Sequence, residues 1–273
     1  MESKPLVSII TVCRNSQTYI RYAIESVLNQ GYPYIEYIIV DGNSTDETIA
    51  VIQEYEPKFK GRMRWISEPD QGIYDAMNKG IKLAKGEIIG ILNSDDWYSA
   101  IAVEKVVALF LSDTNIGLVH GRLANYNNQD KLDSVYGKRL SRFSFAEQTP
   151  FSHPTCFVRK TVYDSIGLFD LQFRTASDYD FMLRVYGSET LKTVYLDEVV
   201  TNFRKTGVTS SMCISPIVQI FRLLRKNKYR FSYIIIGIVY RLTRDIIKIA
   251  LVSLKLEVVI KFRRRWSHLH EKV

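Results

Sequence analysis

Short β-branched runs alternate with helical segments through the first hundred residues, and this alternation limits the folds open to the chain. Apolar runs at 6–12, 35–40, 64–67 and 88–92 predict four strands. The intervening stretches predict helices over 18–29, 44–55 and 72–84, the last with Gly86 as its C-cap. Strands that alternate with helices form βαβ units. We therefore predict an α/β fold with a largely parallel sheet.

The rhythm loosens after residue 98, where the elements become harder to assign. Helices are predicted over 100–111 and 177–186, and strands at 118–121, 155–158 and 199–203. Residues 125–144 are polar and rich in turn formers, which predicts a loop.

Two adjacent carboxylates, Asp95 and Asp96, follow the fourth predicted strand, and Asp41 follows the second. Ligands of open α/β sheets bind at the carboxyl ends of the strands. Adjacent carboxylates repel each other unless a positive charge lies beside them, and Mg²⁺ or Mn²⁺ bridging to phosphate oxygens would supply it. The alternative is a solvated turn with an Asp cap for the next helix.

The turn after the first strand, residues 11–15, contains no glycine, so the dinucleotide-binding fingerprint is absent. The sequence also has no P-loop and no kinase glycine loop. The phosphates of a bound nucleotide would then be held by a metal and side chains, which favours the cation site over the turn. The three cysteines lie far apart without a C-x-x-C pair, which argues against a disulfide framework and a zinc site.

The basic excess of the chain is confined to its C-terminal part. Residues 222–265 contain 13 Lys and Arg but 2 Asp and Glu, and since the whole chain carries +8, the remainder is net acidic. The longest uncharged run there, 231–240, is too short to span about 30 Å of hydrocarbon. Basic residues recur on one stripe, which is typical of a helix lying in a membrane interface, and Arg265 and Trp266 belong to a terminal anchor.

Two alternatives for this segment stay open: a helix packed on the catalytic domain, or a subunit interface in a homo-oligomer. Nucleic-acid binding is not expected, because no known reader motif accompanies the charge. The N-terminus lacks the basic and apolar regions of a signal peptide, so we expect no export.

Several ordered motifs together resemble the inverting family 2 glycosyltransferases. They lie at 5–15, 40–48, 68–80 (EPDQGIYDAMNKG), 92–98 (LNSDDWY), 151–155, 167–170 and 176–184, so the resemblance spans about residues 5–211. It implies the GT-A fold, with a Rossmann-like nucleotide-binding sheet beside an acceptor-binding half. We expect this domain over 1–215 and basic amphipathic helices over 216–273.

The resemblance also implies site residues. Asp95 would be the metal ligand of the DxD motif, whose first position is Asn93 here, and Asp178 would be the catalytic base. His153 would contact the diphosphate or the acceptor. The other positions expected to contact the nucleotide or donor sugar are Thr11, Asn15, Asp41, Asp70, Asp75, Lys79, Asn93 and Asp96.

Most of these positions could also have a structural role. Asn15 suits a turn, Asp178 suits a helix N-cap, and Asp75 with Lys79 suits an i,i+4 salt bridge. Three further expectations are structural only: helix capping by Asp46 and Glu47, packing by Tyr74 and Met77, and an ion pair between Asp180 and Arg184.

The expected function is transfer of a sugar from a nucleotide diphosphate sugar, with UDP implied by Asp41, to an acceptor hydroxyl with inversion. Mn²⁺ or Mg²⁺ would be the cofactor. The acceptor would be a lipid-linked saccharide of bacterial surface polysaccharide synthesis, at the cytoplasmic face of the inner membrane. One alternative is a non-catalytic GT-A-like subunit, for which Asn93 is the hint. A sugar nucleotidyltransferase is the other, and the chain lacks the glycine-rich loop that such enzymes need after the first strand.

Overall fold

The computed structural model describes residues 4–127, 129–137, 152–204 and 215–229, and isolated helical positions up to residue 247. The chain divides into two compact units. The first comprises residues 1–140 and 151–213, and the second residues 141–150 and 214–273. The predicted domain boundary at 215 stays a prediction. None of the helices in the described part of the chain has the length and apolarity that a membrane span needs.

Four parallel strands form one half of a mixed sheet in the first unit, in the order β3-β2-β1-β4. Their bounds are β1 Val7–Cys13, β2 Ile35–Asp41, β3 Met63–Ser67 and β4 Ile88–Asn93. Nearly every residue of β1, β2 and β4 is buried, as expected of strands covered by helices on both faces. The four predicted strands and the α/β fold class are confirmed.

Helices cover both faces of this sheet. Those packed on one face are α1 Ile20–Leu28, α2 Thr48–Tyr55 and α4 Ala102–Ser112. Those on the other are α3 Ile73–Leu83, α5 Lys160–Ile166 and α6 Ser177–Tyr186. The apolar spacing of α1 is the reason it forms, because Ile20, Ala23, Ile24 and Val27 are its buried face. A last helix, α7 Ser215–Lys226, belongs to the second unit.

The other half of the sheet continues from β4 in the order β8-β6-β9-β5, with β7 paired to β6. The bounds are β5 Trp97–Tyr98, β6 Ile116–Tyr126, β7 Leu132–Tyr136, β8 Phe157–Arg159 and β9 Lys192–Arg204. The loop predicted over 125–144 is therefore wrong for 132–136, where pairing with β6 makes a strand of polar residues. Residues 128 and 138–144 of that prediction lie outside the described residues.

Gly86 does not cap α3, contrary to the prediction. The helix ends at Leu83, and Ala84 is the C-cap in an extended conformation. A Cβ on Gly86 would lie 2.6 Å from the backbone nitrogen and from the hydroxyl of Ser8. Glycine is required here because the chain passes close to β1.

The connections place a topological switch at β1. The chain runs outward from β1 to β2 and β3, and then returns to the opposite side of β1 as β4. The register aligns Cys13 with Asp41, Asp41 with Ser67, and Val12 with Asn93, so these strands end along one edge. A crevice outside such an edge is where open α/β sheets bind ligands.

Candidate active site

The strand-end region comprises the carboxyl ends of β1, β2, β3 and β4 with the loops that follow, residues 13–16, 41–48, 67 and 93–96. Asp41 lies at its centre and is fully buried. It accepts hydrogen bonds from the Ser44 backbone (2.8 Å), the Ser67 hydroxyl (2.7 Å), the Ser44 hydroxyl and the Cys13 thiol (3.5 Å). Burial, followed by the charge of Asp41, raises the pKa of Cys13, so the thiol stays protonated and donates.

The loop after β1 is tied to the loop after β2 through Asn15. Its backbone donates to the Ser44 hydroxyl (2.8 Å) and its side-chain oxygen accepts from the Thr45 backbone (2.9 Å). Asn15 has a φ of 50°, which asparagine tolerates better than most residues. Asn15 therefore fills the structural role, and its exposed side chain lies at the predicted nucleoside position.

Three more predicted residues have structural contacts. Thr11 is fully buried two residues before the end of β1, and its hydroxyl accepts from Tyr37 (2.9 Å). Asp46 accepts from the Thr48 backbone (3.0 Å) at the start of α2, which confirms helix capping by this residue. Glu47 is the N-cap residue itself, without a side-chain cap bond.

The two carboxylates after β4 have different surroundings. Asp96 is fully buried and accepts from the Asn93 amide (2.9 Å) and the Arg204 backbone (3.1 Å). Burial, and after it the neighbouring Asp95, raises the pKa of Asp96. Asp95 is half-buried. Asn93 and Asp96 thus bond each other and shape the turn that carries Asp95.

This turn suits a hard divalent cation. Asp95 and Asp96 are adjacent carboxyl groups, and a cation beside Asp95 would relieve the repulsion that contributes, after burial, to the raised pKa of Asp96. The described residues contain no group of three His, Cys, Asp or Glu side chains arranged to hold a metal. Mg²⁺ and Mn²⁺ are often held by one or two carboxylates with phosphates and water as the other ligands, so Asp95 is the expected protein ligand.

Arg204, the last residue of β9, completes the region, and no sequence pattern pointed to it. Its side chain is buried, and its guanidinium carbon lies 4.6, 4.9 and 5.1 Å from the ring centroids of Tyr19, Tyr22 and Trp97. One guanidinium nitrogen bonds Asp130, whereas Nε and Nη2 have no hydrogen-bond partner among the described residues. Three aromatic faces compensate part of this buried charge.

Asp70 extends the strand-end region from the loop after β3. Its carboxylate accepts from the Gly72 backbone (2.9 Å) and lies against Gly42. A Cβ at Gly42 would displace that carboxylate from its present position beside Asp41. The structure thus brings Asp41 and Asp70 close together, as their predicted roles require.

Asp75 and Lys79 bond each other and the loop before α3. Lys79 contacts the Asp75 carboxylate at 3.7 Å, the Glu68 carboxylate at 2.8 Å and the Pro69 carbonyl at 2.8 Å. Asp75 accepts from the Gln71 backbone at 3.0 Å. The predicted salt bridge of this pair is therefore present, and any contact with a donor would be additional to it.

The helix-start region comprises Tyr74, His153 and Asp178. Asp178 is the second residue of α6, and the N-cap is Ala176 rather than Asp178. Its Oδ1 accepts from the Tyr74 hydroxyl (2.8 Å) and from the Tyr179 backbone (2.9 Å). Tyr74 packs on Phe169 at 5.6 Å between ring centroids, as expected, but its contact with Asp178 was missed. The two partners are 104 residues apart, and no local pattern pairs them.

Asp180, two residues along α6, is structural. It is fully buried and accepts from Arg184 Nε at 2.8 Å, which confirms the predicted ion pair. Arg184 also donates to the carbonyls of Ile166 (2.7 Å) and Leu168 (2.7 Å), so the pair holds the loop after α5 against α6.

His153 begins a 3₁₀ turn, His153–Thr155, that links the two regions. Burial lowers the pKa of His153, with a smaller opposing effect from Asp178, so the imidazole is neutral at pH 7. The preceding Ser152 donates to the Tyr136 hydroxyl (2.9 Å), and the pKa of Tyr136 is raised by burial and then by Asp96. The Ser152 hydroxyl thus connects the residue before the turn to β7.

Comparison with known proteins agrees with this geometry. Residues 8–167 match the model of glycosyl transferase family 2. A glycosyltransferase of Mycobacterium tuberculosis is 34% identical over 219 residues, which is 77% of this chain and 79% of that protein.

Two solved structures share the fold. S. aureus TarS in complex with UDP-GlcNAc superposes with a TM-score of 0.65 at 20% identity, covering 81% of this chain and 65% of that chain. The mannosyltransferase PcManGT from Pyrobaculum calidifontis, in complex with GDP-Man and Mn²⁺, gives 0.61 at 16% identity, covering 97% and 83%. At these identities the likeness concerns the fold alone. With the family match and the strand-end site, it leads to one conclusion: the chain belongs to glycosyl transferase family 2, has the GT-A fold and is a glycosyltransferase.

Proposed function

We propose that the chain transfers a sugar, with inversion at the anomeric carbon, from a nucleotide diphosphate sugar to an acceptor hydroxyl. The observation that carries this proposal is Asp178, a half-buried carboxylate at the start of α6 whose Oδ1 accepts hydrogen bonds from the Tyr74 hydroxyl and the Tyr179 backbone. A single displacement needs one general base and no covalent nucleophile. The thiols of Cys13 and Cys156 suit no nucleophilic role, because burial raises the pKa of both.

The donor is proposed to lie along the strand-end region. The nucleoside would be surrounded by Asn15, Asp41, Asp70 and the Thr11 backbone. To contact Asp41, the nucleobase would have to replace the Ser44 hydroxyl that now bonds this carboxylate. Asp75 and Lys79 would act on the donor sugar through the loop they hold. We expect the donor to be a UDP-sugar, as in the TarS complex. Because the mannosyltransferase structure contains GDP-Man, GDP-sugars should be tested for binding alongside UDP-sugars.

In the proposed reaction the acceptor hydroxyl gives its proton to Asp178 while its oxygen bonds the anomeric carbon. The bond from that carbon to the diphosphate breaks at the same time, and the diphosphate leaves with the electron pair. A positioned base typically contributes ~10²–10⁴-fold to such a step. Mn²⁺ or Mg²⁺ held by Asp95 would supply Lewis-acid neutralisation of the leaving diphosphate. His153, neutral at pH 7, would donate a hydrogen bond to the diphosphate or the acceptor.

Asp178→Asn tests the base directly. Thermal shift with UDP-, GDP- and dTDP-sugars in Mn²⁺ first identifies the donor for the wild type. The variant should bind that donor with unchanged affinity and lose at least about 10³-fold of donor turnover. Glu189→Gln, an exposed site after α6, is the matched control and should keep full activity.

Normal turnover by Asp178→Asn contradicts the base assignment. In the same assay EDTA should stop turnover and added Mn²⁺ should restore it, and full activity in EDTA contradicts the metal role of Asp95. Absence of hydrolysis of every donor by the wild type would favour the non-catalytic alternative.

We also propose that residues 231–266 bind a membrane surface and present the enzyme to a lipid-linked acceptor at the cytoplasmic face of the inner membrane. The support is a set of helical residues with exposed apolar side chains: Phe231, Ile235, Ile236, Val239, Leu242, Ile246 and Ile247. Ile236 and Ile246 are more than 60% exposed. With the basic residues around them in the sequence, they give the composition of an interfacial helix.

Vesicle sedimentation tests this second proposal with the full chain. Vesicles containing phosphatidylglycerol should pellet the wild type, and those of phosphatidylcholine alone should pellet less of it. Serine at Ile235, Ile236 and Ile246 should abolish pelleting, whereas serine at Leu132 and Leu171, exposed leucines of the first unit, should not. Unchanged pelleting contradicts the proposal, and loss of a dimer in light scattering would instead indicate a subunit interface.

A further inference from the structure

The hydroxyl of Tyr74 sits at the N-terminus of α6. It donates to Asp178 Oδ1 at 2.8 Å. The contact joins the start of α3 to the start of α6.

Tyr74 can only donate in this contact. Burial, followed by the charge of Asp178 and the hydrogen bond to it, raises the pKa of Tyr74, with a smaller opposing effect from the backbone of Asp178 and Ser177. The phenol therefore stays protonated at physiological pH and cannot serve as the base itself.

Among the residues that the structure describes, the hydrogen bonds to Asp178 fall on one of its two oxygens. Oδ1 accepts from both the Tyr74 hydroxyl and the Tyr179 backbone. Oδ2 then remains as the oxygen that can take a proton from an acceptor hydroxyl, and two bonds to Oδ1 prevent the carboxylate from rotating. General-base catalysis requires this type of fixed alignment.

Packing fixes the position of Tyr74 in turn. Its ring lies on Phe169, and Asn78, one turn further along α3, exchanges two hydrogen bonds with the Phe169 backbone (2.9 and 3.0 Å). Phe169 also contacts the ring of His153 at 5.4 Å between centroids. The phenol is therefore held by the same aromatic group that borders the rest of the helix-start region.

We propose that Tyr74 is a positioning residue that pins Oδ1 of Asp178 and so presents Oδ2 to the acceptor hydroxyl. This inference rests on the proposed role of Asp178 as the base. It also predicts that the pH dependence of the reaction depends on Tyr74 in α3, because a carboxylate that loses a hydrogen-bond donor takes up a proton more readily.

The other titratable groups that face Asp178 stay neutral. They are His153 on the 3₁₀ turn, whose pKa burial lowers, and Cys156 after it, whose pKa burial and then Asp178 raise. On its own helix, Asp180 is paired with Arg184. A change in the acid limb of the pH profile on removal of the Tyr74 hydroxyl therefore reports on the pair of Tyr74 and Asp178.

Tyr74→Phe is the test, and Tyr163→Phe is the matched control. Tyr163 is a buried tyrosine that contacts the same Phe169 ring, at 6.3 Å between centroids, without a hydrogen bond to Asp178. Tyr74→Phe should lower kcat by about ten- to hundredfold, the range expected for a hydrogen bond to a charged group. The acid limb of kcat/KM should move to higher pH, because the carboxylate has lost a hydrogen-bond donor, with the donor KM unchanged. Tyr163→Phe should change neither quantity.

Each outcome decides a separate point. An unchanged acid limb and kcat in Tyr74→Phe overturns the inference, and Asp178→Asn then shows independently whether the base assignment stands. A raised donor KM at unchanged kcat also overturns it, because Tyr74 would then bind the donor. Thermal melting of both tyrosine variants checks that each is folded, and Tyr74→His gives a second variant with a donor group to rescue the alignment.

Discussion

The strand-end and helix-start regions use carboxylates in opposite ways. Asp41 is wholly buried and accepts from four donors supplied by residues of three strands and their loops. Asp178 is half-buried and, among the described residues, engaged through one oxygen only. A carboxylate whose two oxygens both accept hydrogen bonds mainly stabilises the backbone around it. A carboxylate that is bonded through one oxygen keeps the other available to a ligand. The comparison distinguishes a carboxylate whose hydrogen bonds hold three strand ends together from one that, under the proposed mechanism, keeps an oxygen for the acceptor.

The largest expected effect is on stability in the strand-end region. Asp41→Asn replaces an acceptor with a donor among four donors, and we expect a loss of about 3 kcal/mol in the free energy of unfolding. Asp178→Asn should change it by less than about 0.5 kcal/mol while removing activity. Urea unfolding followed by circular dichroism measures both, and equal losses would remove the distinction between the two regions.

The next prediction extends the comparison to a buried histidine that lies outside both regions. Burial lowers the pKa of His120, in β6, from 6.5 to about 4. Because the unfolded chain binds the proton more tightly, this contribution to stability is complete above pH 6.5 and is lost as the pH falls toward 4. We expect about 2 kcal/mol less stability at pH 5 than at pH 7.5 from this group.

His120→Gln should remove that part of the pH dependence, measured as the difference between wild-type and variant unfolding at the two pH values. The difference isolates His120 from carboxylates that also titrate in this range. A slope that stays the same in the variant would assign the acid sensitivity to another group.

The smallest effect concerns Ser44, whose hydroxyl bonds the Asp41 carboxylate and accepts from the Asn15 backbone. Ser44→Ala should cost about 1 kcal/mol of stability. Under the proposed function the nucleobase of the donor must replace this hydroxyl to reach Asp41, so Ser44→Ala should bind the donor at least as well as the wild type. Ser112→Ala, an exposed helix serine that bonds the Leu109 carbonyl (2.7 Å), is the control. Weaker donor binding in Ser44→Ala would mean that Ser44 itself contacts the nucleoside.

Much of the fold was predictable because its signals are local. The strands β1, β2 and β4 are buried on both faces, so each is a continuous apolar run, and α1 shows its buried face at helical spacing. β7 was missed because its polar residues form a strand only through their pairing with β6. Gly86 was misassigned because the neighbouring β1 backbone, not the helix, requires a glycine there.

The site was predictable only where position relative to a strand end carries the information. Asp41, Asp95 and Asp96 could be placed at one edge in this way. The contacts of Asp178 with Tyr74 and of Asp96 with Arg204 could not, because the partners are 104 and 108 residues apart. Such pairs follow from the packing of α3 against α6 and from the insertion of β9, which no local pattern encodes.

The strand order gives Arg204 a consequence for biosynthesis. β9 is the last strand of the sheet in chain order, yet it joins β5, and its final backbone N–H satisfies Asp96. During synthesis, the turn that contains Asp95 and Asp96 leaves the ribosome before Arg204, whose backbone N–H bonds Asp96, has been added. Nascent chains that stop short of residue 204 should therefore lack the backbone N–H that Asp96 accepts, and the turn should reach its final arrangement only after β9 has been synthesised.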